Sequence, residues 1–362
     1  MNQPPHLLLA LSGHGYGHLA QCAPVINALW QQLPSLCVTV CSSLPEVVIA
    51  GRLDKPFTCL AVELDVVLPM ASAWEVDVPA AQQAYSSFHQ DIEAGLQRDS
   101  ELLETIKPDL ILADIPYRIL SAAGLAGIPA VALCSLNWAS IYAAYCGTDS
   151  ASEDILEHMW TGYRAADVFL APEPAIDMPG LDNYRAIGPI ARRGAPQKPA
   201  LLEMLGLPRD ARVVLVALGG IATVLPLASW PRIDNVIWLF SETLATQRDD
   251  LFDLSALSLS FIDALASSDA VLTKPGYGTY AEAVCNGVPL LSLERPDWPE
   301  TGYLNAWVHR YGCLQEISKQ QFEAGTFGQA LEQLWEQPVP GEYPEPTGIN
   351  QAADLLLEWL NQ

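Results

Sequence analysis

The residues Asp269–Pro289, D-A-V-L-T-K-P-G-Y-G-T-Y-A-E-A-V-C-N-G-V-P, contain a strand, a glycine turn and a helix in succession. The apolar residues 270–272 predict a short buried strand, and residues 279–286 predict a helix. Gly287 ends that helix in the left-handed conformation that a glycine tolerates, and Pro289 opens the next buried strand. This succession is typical of the parallel sheets of α/β proteins.

The turn between this strand and helix has the composition of an anion-binding site. Lys274, Gly276 and Gly278 interrupt the strand, and the turn leaves backbone N–H groups at the positive end of the helix dipole. Lys274 adds a mobile positive charge. Thr279 and Glu282 also fit a capping box, T-x-x-E, so phosphate binding and simple helix capping are both open at this point.

The composition predicts two domains in a reduced compartment. The chain has 362 residues, of which 50% are hydrophobic, enough for two domains of ~150–190 residues that each bury a core. No apolar run approaches the ~20 residues of a membrane span. The first residues, M-N-Q-P-P-H, lack the pattern of a signal peptide, so we expect a cytoplasmic protein without a transmembrane segment. The 8 cysteines include no C-x-x-C pair; we expect core thiols and no metal site.

The charge balance excludes several classes of partner. With 18 basic and 42 acidic residues the net charge is −24, the wrong sign for nucleic acid or an anionic membrane. A nucleotide would have to enter against this field, so backbone amides and a few cations such as Lys274 must bind it.

A second glycine turn follows the first predicted strand, residues 6–12. It reads Gly13-His14-Gly15-Tyr16-Gly17-His18 and precedes a predicted helix over residues 18–32, in which Pro24 marks a kink or a later start. The alternate glycines indicate backbone packed against a ligand or a neighbouring loop. A dinucleotide fingerprint would need a glycine at position 18 and an acid after the second strand, residues 36–43. Neither is present, and there is no Walker lysine, so no tightly bound cofactor is expected.

Strands and helices alternate along both halves of the chain, on either side of a Pro/Gly-rich segment. We predict strands at 57–64, 108–114, 129–136, 168–171, 212–218, 235–240 and 313–317, and helical regions at 80–106, 119–127, 260–268, 322–336 and 350–360. Residues 184–199 have no periodicity, and we interpret them as the interdomain linker.

The motif G-x-x-T-x-x-E followed by A-x-x-x-G-V-P, which spans Gly276–Pro289, resembles the donor-binding motif of GT-B glycosyltransferases, the UDP-glycosyltransferase superfamily and its peptidoglycan relatives. The resemblance implies an α/β fold of two Rossmann-like domains whose parallel sheets face each other across a cleft. The acceptor-side domain would comprise residues 1–188, with the last helix, 350–361, crossing back to it. Residues 189–349 would bind a nucleotide sugar, with Glu282 on the ribose hydroxyls.

Shorter motifs extend this resemblance. Gly17-His18 resembles the start of the superfamily's G-H-x-x-P acceptor loop, with Pro24 later than usual, and Asp114 resembles the acid that closes its D-x-x-x-x-D strand. Residues 187–190 resemble its linker entry. In the second half, Gly219-Gly220 resembles a second phosphate turn, and Phe261-Ile262 resembles the segment whose backbone meets the base.

The chain also resembles the amino-terminal, glycosyltransferase-like region of plant and bacterial arabinokinases. The similar motifs are S-G-H-G-Y-G-H, S-L-N-W-A-S-I-Y-A at residues 135–143, K-P-G-Y-G-T-x-x-E-A, and E-x-x-x-L-N at Glu300–Asn305. Glu300 stands where plant and mammalian glycosyltransferases carry an Asp-Gln pair for the sugar. The likeness does not extend to the kinase half of those proteins, so it does not imply sugar phosphorylation.

These resemblances imply inverting, metal-independent transfer of a sugar from a nucleotide diphosphate to an acceptor hydroxyl. His18 would be the general base with Asp114 behind it, and His14 is the alternative base. The implied donor-binding residues are Gly13, His14, Gly15, Gly219, Gly220, Phe261, Ile262, Lys274, Gly276, Tyr277, Gly278, Thr279, Glu282, Glu300 and Asn305. A nucleotide-sugar epimerase and a non-catalytic nucleotide-sugar-binding module are the alternatives. The base, the sugar, the acceptor and the oligomeric state stay open.

Overall fold

A computed structural model describes residues 4–72, 75–147, 149–219, 225–241 and 248–361 of the chain. The chain is divided into two compact units. Unit 1 comprises Met1–Ile190 and Thr347–Gln362, and unit 2 comprises Ala191–Pro346. Within the described ranges, no helix is both long and apolar enough to cross a membrane.

Unit 1 is built on a parallel sheet of seven strands in the order β3-β2-β1-β4-β5-β6-β7. The strands are β1 (His6–Leu11), β2 (Cys37–Ser42), β3 (Thr58–Ala61), β4 (Leu110–Asp114), β5 (Ala130–Leu133), β6 (Val168–Pro172) and β7 (Tyr184–Ile187). The central strands β1 and β4 are almost wholly buried because helices cover both faces of the sheet. The strand order reverses between β1 and β4, and open α/β sheets bind ligands at the carboxyl ends of the strands at such a point.

Eight helices lie within the described residues of unit 1. They are α1 (Gly17–Gln32), α2 (Glu46–Ala50), α3 (Val78–Gln90), α4 (Ile92–Ile106), α5 (Tyr117–Ala126), α6 (Trp138–Cys146), α7 (Ser150–Ala165) and, from the end of the chain, α14 (Gly348–Leu360). The face of α14 that carries Ala352, Ala353 and Leu356 is buried, and the helix packs against α1.

Unit 2 repeats the architecture with six parallel strands in the order β10-β9-β8-β11-β12-β13. They are β8 (Arg212–Ala217), β9 (Val236–Phe240), β10 (Leu251–Asp253), β11 (Ala270–Thr273), β12 (Leu290–Leu293) and β13 (Leu314–Ile317). The helices are α8 (Lys198–Met204), α9 (Phe261–Ala266), α10 (Tyr277–Cys285), α11 (Thr301–Tyr311), α12 (Lys319–Ala324) and α13 (Gly328–Glu336). Two parallel-sheet, Rossmann-like units are the fold class predicted from the sequence.

Several local predictions are wrong in detail. The predicted linker starts too early, because Tyr184–Ile187 forms the edge strand β7. The helical region 80–106 is two helices that meet at Asp91, and 322–336 is likewise divided between α12 and α13. Helix α1 begins before Pro24 and continues through it, so a later start is excluded.

The chain leaves unit 1 after Ile190 and returns to it at Thr347, and the segments of unit 1 next to these two points are neighbours. The Gly348 N–H donates to the Pro189 carbonyl at 3.1 Å, and the Gly188 N–H donates to Gln351 Oε1 at 2.7 Å. Any side chain at Gly188 would collide with the Thr347 hydroxyl. The residues around Gly188 and Gly348 therefore form one closely packed junction within unit 1.

Candidate active site

The switch point of unit 1 brings two predicted catalytic residues to the same sheet edge. Leu11, the last residue of β1, pairs in register with Asp114, the last residue of β4. The Ser12 N–H extends this pairing by donating to the Asp114 carbonyl at 2.7 Å. The turn that follows β1 then leads into α1, whose second residue is His18.

His18 and Asp114 are in direct contact. The distance from His18 Nδ1 to Asp114 Oδ1 is 2.8 Å, with His18 5% exposed and Asp114 fully buried. Because a carboxylate only accepts hydrogen bonds, Nδ1 carries the proton and the lone pair of the neutral ring lies on Nε2. The Cys22 thiol donates to the other carboxylate oxygen at 3.4 Å. Burial, then the Asp114 charge, raise the pKa of Cys22 well above its usual range, so it stays a thiol.

Trp138, at the start of α6, forms a wall beside both histidines of the glycine turn. Its ring centroid lies 5.3 Å from that of His14 and 5.4 Å from that of His18. The neighbouring Asn137 caps α6 by accepting from the Ser140 N–H at 2.8 Å. The indole N–H of Trp138 donates to Asp65 Oδ2 at 2.8 Å.

The glycine turn itself is held by packing as well as by its sequence. Any side chain at Gly13 would collide with the Ser43 hydroxyl, and the His14 N–H donates to Ser12 Oγ at 3.3 Å. Gly15 N–H donates back to the Gly13 carbonyl at 3.0 Å. Close packing against the loop after β2 therefore accounts for Gly13, and donor binding by Gly13, His14 and Gly15 stays a prediction.

One group of potential metal ligands occurs among the described residues. The ligand-type atoms of His18, Asp114 and Cys134 lie within 4.8 Å of one another, and all three side chains are buried. The His18–Asp114 hydrogen bond accounts for this proximity, with Cys134 Sγ 3.8 Å from the same ring nitrogen. We therefore describe this group as a histidine–carboxylate pair with a thiol beside it.

In unit 2 the two predicted phosphate turns touch each other. Gly219 follows β8 with φ +86°, and Lys274 follows the adjacent β11; a Cβ atom placed on Gly219 would lie 3.5 Å from Lys274 Cε. The Thr273 hydroxyl ties the two turns by donating to the Ala217 carbonyl at 2.7 Å. Burial, aided by Arg295, lowers the pKa of Lys274 to about 8. Gly220 lies outside the described residues.

Helix α10 begins at Tyr277 with Gly276 as its N-cap, and no side chain caps it. Gly278 and Thr279 therefore lie in the first turn of the helix, and Thr279 and Glu282 do not form a capping box. This excludes the capping alternative considered above. The first turn of α10 presents its N–H groups at the carboxyl edge of the sheet, where an anion is favoured.

Glu282 has a partner that the sequence did not indicate. Its Oε1 accepts from Arg192 Nε at 2.8 Å, and the Glu282 side chain is 11% exposed against 41% for that of Arg192. Asn286 fixes this arrangement, because its amide nitrogen donates to the Arg192 carbonyl at 2.9 Å and the Glu282 carbonyl at 2.7 Å. Arg192 thus places a positive charge beside the predicted ribose-binding carboxylate.

The remaining predicted donor-binding residues of unit 2 differ in burial and in their hydrogen-bond partners. Glu300 is 3% exposed, and its Oε2 accepts from Trp298 Nε1 at 3.4 Å. Asn305 is held inside a polar network: its Oδ1 accepts from Tyr280 OH at 3.3 Å and its Nδ2 donates to Glu316 at 2.9 Å. Phe261 and Ile262 open α9, which Ser260 caps by accepting from the Asp263 N–H.

Neither Asp65 and Trp138 of unit 1 nor Arg192 of unit 2 was singled out in the sequence analysis. Trp138 lies in the S-L-N-W motif, which was noticed only as a resemblance. Asp65 lies between aliphatic residues in the run V-E-L-D-V-V-L, and an acid flanked by apolar residues is a signal that could have identified it.

Comparisons with known proteins agree with this architecture. No family profile matches the chain. The chain is 26% identical over 346 residues to an L-arabinokinase of Arabidopsis thaliana. The aligned segment covers 90% of this chain but 32% of that protein. It is 24% identical over 263 residues to an uncharacterized glycosyltransferase of Methanopyrus kandleri, covering 68% of this chain and 74% of that protein. The chain thus spans about a third of the length of the arabinokinase.

Two solved glycosyltransferases and one putative epimerase have the same fold over almost their whole length. The calicheamicin glycosyltransferase CalG4 superimposes with a TM-score of 0.66 at 16% identity, covering 100% of this chain and 99% of that one. A UGT2 of Phytolacca americana, solved with UDP-2-fluoro-glucose and pterostilbene, gives a TM-score of 0.62 at 14% identity, covering 100% and 94%. A putative UDP-N-acetylglucosamine 2-epimerase of Listeria monocytogenes gives 0.56 at 14% identity, covering 99% and 95%.

The chain therefore has the GT-B fold. The similarity to GT-B glycosyltransferases and to the arabinokinase that was predicted from the sequence motifs is confirmed.

Proposed function

We propose that this protein is a glycosyltransferase that moves a sugar from a nucleotide-diphosphate donor to an acceptor hydroxyl, with inversion and without a metal ion. The observation that carries the proposal is the buried 2.8 Å hydrogen bond between His18 Nδ1 and Asp114 Oδ1 at the switch point of unit 1. A histidine oriented by a buried carboxylate is the arrangement of a general base.

In the proposed reaction His18 Nε2 takes the proton of the acceptor hydroxyl as its oxygen attacks the anomeric carbon. The imidazolium that forms is stabilised by Asp114, whose carboxylate also fixes the ring tautomer. The positive end of the α1 helix dipole disfavours the protonated form of His18, and this helps the ring to stay neutral before the reaction. His14 is the alternative base, because it lies on the same turn as His18 and its ring also packs against Trp138.

Unit 2 would bind the donor. The diphosphate leaving group gains negative charge as the glycosidic bond breaks, and the N–H groups near Gly219, Gly276 and Gly278 would stabilise it together with Lys274. Glu282 would accept hydrogen bonds from the ribose hydroxyls. The solved relative with UDP-2-fluoro-glucose supports a nucleotide-sugar donor, which we extend to this chain as part of the proposal.

The first experiment is a thermal-shift panel of UDP, TDP, GDP and ADP with their common sugar conjugates. A ligand at about 100 times its Kd stabilises the folded state by ~2.7 kcal/mol, which such an assay detects. A donor that shifts the melting temperature is then incubated with a library of hydroxyl acceptors, and glycosylated products are sought by mass spectrometry.

Each outcome separates the candidate functions. A sugar-shifted product that disappears in His18→Ala supports the transferase. A donor that binds but is never consumed indicates a non-catalytic binding module. Conversion of the donor into its epimer, detected by NMR, indicates an epimerase. If none of the nucleotides or their sugars binds, the proposal is wrong.

A further inference from the structure

A buried acid outside the histidine–carboxylate pair connects the loops that surround it. Asp65 lies in the loop after β3 and is 2% exposed, between the buried side chains of Leu64 and Val66. A carboxyl group in such a position is costly unless it is hydrogen-bonded, and a purely structural core would place an aliphatic residue there. The location of its partners explains why an acid is present.

Both partners of Asp65 belong to the walls of the proposed site. Trp138 Nε1 donates to Asp65 Oδ2 at 2.8 Å, and the Ser12 hydroxyl also hydrogen-bonds to the Asp65 carboxylate. Ser12 in turn accepts from the His14 N–H at 3.3 Å. One carboxylate therefore joins the loop after β3, the glycine turn after β1 and the loop after β5.

The charge of Asp65 also reaches His18. Burial raises the pKa of Asp65 to about 6, against the opposing effects of Ser12, Trp138 and His18, so the group is ionised at neutral pH. The titratable groups around this region are His14, His18, Cys22, Asp114, Cys134 and the buried tyrosines Tyr85, Tyr117 and Tyr163. Burial raises the pKa of all three tyrosines well above the usual range, so they stay neutral.

We infer that Asp65 is a positioning residue for the proposed transfer, which anchors Trp138 and the glycine turn and supplies a second negative charge near His18. The inference rests on the proposed function, because it assigns Asp65 to the same site. The charge stabilises the imidazolium formed when His18 takes the acceptor proton. The anchoring keeps the Trp138 ring against His14 and His18 and thereby limits the ring orientations of the base.

Two variants separate these contributions. Asp65→Asn removes the charge but keeps an amide oxygen that can accept from Trp138. Trp138→Phe keeps a ring in the wall but removes the N–H donor. Asp54→Asn, an exposed acid on the same unit, is the control with the same change of charge.

We expect Asp65→Asn to lower the plateau kcat about 10-fold and to move the acid limb of the kcat profile to lower pH by about 0.5–1 unit. The sign follows because the active base must be neutral, and a lost negative charge makes the imidazolium less favourable. Trp138→Phe should lower kcat without moving that limb as far, while Asp54→Asn should change neither quantity.

The same inference is tested without turnover by NMR. The imidazole of His18, assigned with His18→Ala, should titrate at a lower pH in Asp65→Asn than in the unmodified protein. The indole proton of Trp138 should change its chemical shift as Asp65 titrates. An unchanged His18 midpoint in Asp65→Asn, with an indole shift that does not depend on pH, overturns the inference. Absence of transfer in every protein, with these NMR shifts present, counts against the proposed function alone.

Discussion

Asp114 Oδ1 accepts a 2.8 Å hydrogen bond from the ring of His18, although 96 residues separate the two in the chain. The contact exists because parallel strands β1 and β4 are neighbours in the sheet, so the residues that end or follow them meet at one edge. Two elements far apart in sequence thus supply the histidine–carboxylate pair to which we assign the proposed proton transfer.

His18→Ala should abolish transfer while leaving the Kd for the donor within about twofold, since the imidazole would act only on the acceptor proton. Asp114→Asn should cost somewhat less, up to about 10⁴-fold in kcat, because the amide still contacts the ring but can hold it in the wrong tautomer and stabilises the imidazolium poorly. Steady-state kinetics and calorimetric donor titration measure both. His309→Ala, an exposed histidine of unit 2, is the control. Turnover within about tenfold in His18→Ala, worth only ~1.4 kcal/mol, would assign the base elsewhere.

Glu282→Gln should weaken nucleotide binding by ~1.5–3 kcal/mol, because a neutral amide is a poorer acceptor for a sugar diol than a carboxylate. Its stability cost should be small, since the amide oxygen can still accept from Arg192 Nε. Isothermal titration calorimetry gives the affinity, and chemical unfolding gives the stability. The matched control is Glu345→Gln, which alters the exposed ion pair to Arg193. Unchanged affinity in Glu282→Gln would show that the carboxylate serves only to hold Arg192.

Nucleotide-diphosphate affinity should fall as the pH rises through about 8, where the half-buried Lys274 loses its proton. Only the protonated amine attracts phosphate, so Kd should rise towards tenfold per pH unit above that point. In Lys274→Met the affinity should be lower throughout and the step should vanish, whereas the exposed Lys319→Met should retain it. A step of equal size in Lys274→Met would assign the titration to another group.

Asp65 should make the folded state less stable as the pH rises from about 4 to about 6. Its pKa is raised from 3.8 to about 6 by burial, so in this window the unfolded chain ionises while the folded protein keeps the proton. Asp65→Asn lacks this effect and should therefore gain ~3 kcal/mol relative to the unmodified protein between pH 4 and 7. Urea unfolding at several pH values measures the difference, and Asp54→Asn, at an exposed acid of the same unit, is the control. If the stability difference between Asp65→Asn and the unmodified protein did not change with pH, the pKa of Asp65 would not be raised by burial, and water would reach its carboxyl group.

The sequence predicted those parts of the fold that carry strong local signals. Glycine and proline delimit β11, α10 and β12, so the motif at 269–289 was placed to within two residues. Strand β7 was missed because only Ile187 of its four residues is buried, and an edge strand of this kind has no apolar pattern. The break at Asp91 has no glycine or proline to mark it.

The candidate site was predicted where a motif names its residues and missed where it depends on tertiary contacts. His18 and Asp114 follow from short motifs. Asp65 and Trp138 are 73 residues apart, and Arg192 and Glu282 are 90 apart. Neither pair has a local signature, because the hydrogen bond exists only once the loops are brought together. The capping alternative at Thr279 could not be excluded before the start of α10 was known.

The junction at Gly188 and Gly348 makes unit 2 an insertion into an otherwise continuous domain. Pro189 and Gly348, on the entering and leaving segments, are joined by a 3.1 Å hydrogen bond, so removing residues 191–346 would leave two chain ends that a very short loop could join. Closing such a loop costs little conformational entropy. A single-domain protein made of the amino-terminal segment fused directly to α14 should therefore fold on its own. Conversely, a chain that stops before α14 would lack the helix that covers α1. The 13-residue helix α14 follows unit 2 in sequence but belongs to the core of unit 1, so that domain cannot be completed until synthesis has passed α14.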